Sequence, residues 1–537
     1  MSTGRASKLV SPREAVDVIR SGDTIAIGGI ISLCVAETVL RALGERFRET
    51  GTPGGLTVFC PNRAGWASPD GPTGLEHLAQ PGMVRRAITS TFGGRDTPDF
   101  VRRSLAGEIE TYCFPMGLLF RLTRELAARS PGMLTTVGLN TFADPAAPSA
   151  EGMRVGRGIP PQDLVSRLEV DGRPCLLYRT FPVNVAILRG TVADTDGNVS
   201  LAGEPVTAAA RHLAMAAHNS GGKVIVQVKH LTERGTLHPR LVDIPGMLVD
   251  HVVLDPTAKQ TQIGDDPAWT GEVRTPLPPV GPLPFDHQKV MLRRVAQELS
   301  PGAVVNLGVG IPTRLPALAL EEGFLDDVVF SVEHGGLGGV PAPGVPGRIG
   351  AFGAHYNPAA IIDSPDVFDF YHGGGLDMTC LGFAQVDAEG SVNVGAFSGN
   401  LRGPGGFVDI VHATRKVVLC GTLTAGGLQV EVTPAEGRAP AIRIVAEGRE
   451  RKLIPRVEQV NLHGPSALEK GQRVVLVTER GVFELAPGGF RLVEIAPGIS
   501  VDRDIRPVVG FGFEVAPGLR EMDHALFVSG RMGIALR

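Results

Sequence analysis

One pattern occurs twice in this chain, and that repetition constrains its fold more than any other feature. Ser11-Pro12-Arg13-Glu14 predicts a helix start, with a serine N-cap, proline in the first turn and glutamate at the capping-box position. The helix ends near Ser21-Gly22. A strand, Thr24 to Ile27, then runs into Gly28-Gly29, and a second helix is expected from Glu37 to Phe47. The copy begins at Asp286, again an N-cap, and its helix carries Val290, Leu292, Val295 and Leu299 before Pro301-Gly302. Strand Val304 to Leu307 follows, then Gly308-Val309-Gly310-Ile311-Pro312, then a helix from Leu315 to Glu322. Gly22 and Gly302 stand 280 residues apart.

Later features repeat as well. Asp194-Thr195-Asp196-Gly197-Asn198-Val199 matches Asp387-Ala388-Glu389-Gly390-Ser391-Val392, two expected hairpin turns, and Lys223 to Val226 matches Lys416 to Leu419. Both pairs share an offset of 193, so the first half holds 87 more residues between its early and late features. Five prolines in nine residues, Pro276 to Pro284, predict a semi-rigid connector. The expected organisation is therefore residues 1–275, a linker at 276–285, and residues 286–537. Strands alternate with helices in both parts, which predicts α/β layers with largely parallel sheets.

Within the second half, Phe330-Ser331-Val332-Glu333-His334-Gly335-Gly336-Leu337-Gly338-Gly339 puts a carboxylate after an apolar run and before four glycines in five positions. This predicts a buried strand ending in a tight turn with Glu333 at its tip. The local pattern fits two readings equally: a nucleophile or base meeting substrate where no Cβ intervenes, or a surface glutamate opening a loop. Sites in α/β proteins favour the carboxyl ends of strands and the borders between domains, and Glu333 meets both conditions.

Composition excludes several classes. A net charge of −4 and a pI near 6.4 argue against nucleic acid or an anionic membrane as the main partner. The longest apolar runs fall far short of the roughly 18–20 residues of a membrane span, and Met1 to Lys8 carries no apolar signal core, so a cytoplasmic protein is expected. Six scattered cysteines without a CxxC pair predict reduced core thiols. The chain has no HExxH and no zinc-type spacing, and no metal is predicted.

Three further motifs are weaker. Gly308-Val309-Gly310 follows a strand but has Thr313 where a dinucleotide fingerprint needs its third glycine; the loop can still offer backbone N–H groups to an anion or thioester. His372-Gly373-Gly374-Gly375 is similar to an esterase oxyanion loop, yet the chain has no GxSxG elbow, so a backbone bend after Phe368 to Tyr371 is the better account. Arg402-Gly403-Pro404-Gly405-Gly406-Phe407 reads as a structural turn whose N–H groups could meet an oxyanion.

Taken together these segments resemble the class I coenzyme A transferases, in particular the single-chain acetate, propionate or 3-oxoacid type. The likeness is carried by Phe370-Tyr371-His372-Gly373-Gly374-Gly375-Leu376-Asp377, Gly403 to Phe407, Gly421-Thr422-Leu423-Thr424-Ala425-Gly426-Gly427, Asn306 to Pro312, Arg189-Gly190-Thr191 and Gly481 to Leu485. The resemblance implies two homologous open α/β/α domains fused in one chain, with the site between them. It also implies that Glu333, with Gly335, is the Glu-x-Gly nucleophile, forming a glutamyl-CoA thioester by ping-pong exchange with acyl-CoA. Gly405 or Gly406 would supply an oxyanion donor, and Asn306 with Gly308, Val309, Gly310, Ile311 and Pro312 would line the thioester end of CoA. No bound cofactor is implied, since coenzyme A is a substrate. The partners implied are acyl-CoA, small carboxylic acids and further copies of the chain, often as a tetramer. Two departures bear on the substrate. Pro115-Met116-Gly117 stands where the family usually has Pro-Gln-Gly, replacing an amide donor with a thioether. His334 occupies a position that is often Pro or Ser, and is expected either to face solvent or to tune the neighbouring carboxylate.

Overall fold

The computed structural model describes residues 7–94, 96–148, 154–155, 163–277, 282–342, 353–397, 400–534 and 536. Each half is built on its own sheet. In the first, the strands run in the order 251–254, 223–232, 185–194, 24–27, 56–60, 84–89, 110–113, all parallel, with 154–155 antiparallel at the edge. In the second, strands 329–331, 304–307, 378–381, 416–420 and 473–477 are parallel neighbours, and an antiparallel run from 481 to 495 extends the edge.

The repeat is visible in the pairing. Strand 24–27 lies between 56–60 and 185–194, and strand 304–307 between 329–331 and 378–381. The chain steps outward on one side of the first strand and then returns to the other side. Each sheet thus has a switch point where loops diverge and leave a crevice. The two matched turns are also one structure. Asp194 accepts from the backbone N–H groups of Asp196 and Asn198, and Asp387 does the same for Glu389 and Ser391. Part of the surplus in the first half is the helix Met116–Ala128 and a small antiparallel sheet of residues 132–135, 173–179 and 165–170.

The expected helix starts form as their caps dictate. Ser11 closes a capping box with Glu14, and the Asp286 carboxylate accepts from Lys289 N–H at 2.9 Å. The first helix stops at Val16, sooner than expected, because the Arg46 guanidinium takes the carbonyls of Val16 and Ile19. The second ends at Ala296, ahead of Pro301. The centre of the proline-rich linker, 278–281, lies outside the described residues; on its flanks Thr275 N–H reaches Asn357 and Leu283 N–H reaches Glu321, both at 3.0 Å.

Helix Met116–Ala128 packs against helix Ser364–His372 and joins the halves through one apolar core. Phe120 stacks on Phe368 at 6.1 Å, and Arg121 and Arg124 pair with Asp369 and Asp366 at the rim. The described cysteines are free thiols, and no described helix is long and apolar enough to cross a membrane.

Candidate active site

Strand Val329–Ser331 is flanked by 304–307 on one side and the short strand 336–337 on the other, with 360–361 beyond it at the edge. Phe330 and Ser331 are buried in the sheet, and the chain then turns through Glu333 before returning at Gly336. Gly335 makes this turn possible. Its φ is +127°, and a Cβ there would sit 2.3 Å from the Ile362 carbonyl oxygen. Glu333 is thereby held at the C-terminal end of its strand, half-buried. Burial pushes its carboxyl up to about 7; its own backbone N–H opposes the rise and the carboxylate of Asp409 adds to it.

Behind Glu333 lies a buried hydroxyl and amide network. Tyr371 and Ser331 share a hydrogen bond at 2.5 Å, the Asn306 amide reaches the Tyr371 hydroxyl at 3.3 Å, and Thr379 donates to Asn306 Oδ1 at 3.1 Å. Burial raises the Tyr371 phenol, which keeps it a neutral partner for this network. Asn306 is fully buried, and its amide is committed to these neighbours. It precedes the Gly308 to Pro312 loop, at the end of strand 304–307. The following loop is open: Val309 is exposed, Gly310 has φ +102°, and Ile311 leads into a short 3₁₀ turn with Pro312 buried beneath. Gly308 N–H is tied to the Cys380 carbonyl at 2.8 Å, which fixes where this loop leaves the sheet.

The loop Gly403 to Phe407 brings the first half into contact with the second. Gly405 N–H donates to Ser90 O at 3.3 Å, while Gly405 O accepts from Met116 N–H at 2.9 Å. Met116 is fully buried; the Asn62 amide points at its sulfur at 2.8 Å, and its methyl would lie 3.3 Å from a Cβ on Gly406. Gly117 has no room for a side chain, since a Cβ would meet Phe368 at 2.3 Å and Asp409 at 2.6 Å. Its N–H donates to Asp409 at 2.9 Å. The proposed oxyanion turn and the Met116-Gly117 pair, 289 residues apart at Met116 and Gly405, are thus one contact surface.

His334 does not face solvent. It is 3% exposed, and burial together with His355 pushes its imidazole down to about 3. His355 is likewise buried, donates from Nδ1 to Gly338 O at 2.7 Å, and is pushed down to about 4. At neutral pH both are uncharged, so His334 forms no ion pair with the neighbouring Glu333.

Sequence reasoning missed Asp409, Tyr371, Ser331, Thr379 and Asn62. Nothing local marks Asp409, because a buried aspartate in a five-residue helix looks like a solvated one. Only the approach of Gly117 from the other half identifies it.

A half-buried glutamate at the end of a parallel strand, in a half that meets the other through the Gly403 to Phe407 turn, defines a candidate acyl-transfer site of the α/β type. The chain belongs to the coenzyme A transferase family. A profile of the Coenzyme A transferase family matches residues 9–255. The chain is 40% identical to caffeate CoA-transferase of Acetobacterium woodii, covering 97% of both chains. It is 37% identical to acetate CoA-transferase YdiF of Escherichia coli K12, over 98% of this chain and 96% of that protein. The crystal structure of the acyl-CoA transferase YdiF from E. coli O157:H7 in a thioester complex with CoA superposes with a TM-score of 0.89, at 35% identity over 99% of this chain and 98% of that one. The architecture is accordingly two fused CoA-transferase domains in a single chain, and the enzyme is a CoA-transferase.

Proposed function

We propose that the chain moves CoA from a short-chain acyl-CoA, such as acetyl-CoA or propionyl-CoA, to a small carboxylic acid through a thioester on Glu333. The half-buried Glu333, raised to about 7 and set at the border of the two halves, is the observation that carries this reading. The Glu333 carboxylate attacks the thioester carbonyl and the C–S bond breaks, giving a mixed anhydride and CoA thiolate. The thiolate attacks the glutamyl carbonyl, the C–O bond breaks, and the donor acid leaves as its carboxylate. The acceptor carboxylate then repeats these steps in reverse, so no net proton is consumed. Each addition builds an oxyanion that needs a preorganised donor. Gly405 N–H already reaches Ser90, so Gly406 is assigned that role, with Gly405 shaping the turn. Gly308 to Pro312 form the CoA side, and Met116 with Gly117 the acyl side. Domain limits of 1–275 and 286–537 about a linker at 276–285, and a homo-oligomeric assembly, belong to the same proposal.

Intact mass after brief incubation with acetyl-CoA, followed by peptide mapping, tests the reading. A CoA adduct on Glu333 that a carboxylic acid discharges is expected, and Glu333→Ala should lose both adduct and exchange while keeping its fold. CoA release without an adduct would replace transfer with hydrolysis. Wild-type exchange by Glu333→Ala would sink the mechanism.

A further inference from the structure

We propose that Asp409 is a positioning residue for this transfer: it fastens the Gly405–Gly406 turn to the first half. The inference rests on Glu333 being the nucleophile, as argued above. Asp409 is fully buried, three residues beyond Gly406. One of its oxygens accepts from Gly117 N–H at 2.9 Å, and the other faces His372 Nε2 at 3.0 Å. Arg121 of the first half donates to His372 Nδ1 at 3.1 Å, which fixes the imidazole with its proton on Nε2, toward Asp409. Arg121 is itself set by Asp369 at 2.6 Å. The His372-Gly373-Gly374-Gly375 bend therefore supplies a donor for a buried carboxylate.

Two consecutive N–H groups at the start of helix Met116–Ala128 grip this segment. Met116 holds the Gly405 carbonyl and Gly117 holds Asp409. An oxyanion donor must be aimed before the charge develops, and these contacts aim it from across the border between halves. Asp409 also opposes the ionisation of Glu333 through space. Tyr371 also interacts with Glu333 through space, and His334 is its buried neighbour in the chain. Asp409 is faced by His372, whose ring meets that of His412 at 6.2 Å, and by Tyr178.

The test uses the full chain and an acyl-CoA that charges Glu333. The nucleophile works ionised, so kcat/KM of the parent rises with pH through about 7. Asp409→Asn keeps the shape and removes the charge. The acid limb is expected to move down, with kcat falling about ten- to a hundredfold and KM for acyl-CoA within about threefold. His372→Gln, which keeps an N–H donor, should leave kcat within about threefold and the limb in place. If Asp409→Asn melts below the assay temperature, His372→Leu takes its place, and a kcat loss of about three- to tenfold at constant KM is expected. An unchanged kcat in Asp409→Asn, or in His372→Leu where it takes its place, overturns the inference. Mapping the parent's adduct separates the two failures: an adduct on Glu333 with Asp409→Asn behaving as the parent rejects the inference alone, and an adduct elsewhere rejects the nucleophile itself.

Discussion

At the scale of the residue, the departure that matters most is Met116. The sulfur is a poor acceptor, yet the Asn62 amide points at it, and Thr91 fixes that amide from the other side by donating to Asn62 Oδ1 at 2.9 Å. A glutamine here would give Asn62 a proper carbonyl partner and turn an N–H donor toward the Gly406 turn. Met116→Gln is expected to shift acid preference by about tenfold toward small polar acids and away from bulkier apolar ones. Discharge rates of the Glu333 adduct measured across a panel of carboxylic acids check this. Identical ratios in both proteins would place the thioether outside the acyl wall.

At the scale of the element, the turn after strand Val329–Ser331 stores a pH dependence. His334 and His355 are held neutral by burial, with folded values of about 3 and 4, below the ordinary histidine value of 6.5. Because these values are depressed, the unfolded chain binds the extra protons first. Stability is therefore fully present above about pH 6.5 and is lost as pH falls from there toward 4. The loss should amount to about 3 kcal/mol or more by pH 4, and chemical denaturation at stepped pH should show proton uptake on unfolding in that window. His355→Asn, if it folds, should flatten the dependence; an unaltered slope would remove the imidazole from this account.

At the scale of the molecule, the two halves share a core, and Phe368 is its hinge pin. It stacks on Phe120 of the first half and meets Tyr371 edge-on at 5.8 Å within its own half. Phe368→Ala should cost about 3–5 kcal/mol, because the cavity opens where the halves join. Calorimetry is expected to show one transition in the parent and a split or broadened one in the variant, with exchange activity lost before the second sheet melts. A single sharp transition in Phe368→Ala would mean that the rim ion pairs of Arg121 and Arg124 hold the halves without it.

The sequence by itself determined what is local and periodic. Caps at Ser11 and Asp286, strand-then-glycine junctions at Ile27-Gly28 and Leu307-Gly308, and the constant offset of 193 between two later pairs sufficed to predict paired α/β halves. Those signals depend only on backbone geometry and side-chain period. The turn at Glu333 was legible for the same reason, because Gly335 is a residue that only a close backbone approach requires. What only the tertiary structure decided is what crosses between the halves. The Asn306 amide turns into a buried network, His334 is sealed beneath the turn, and Asp409 meets Gly117 at 292 residues' separation. Such contacts leave no periodic trace, since burial of a polar group depends on which distant partner arrives to satisfy it.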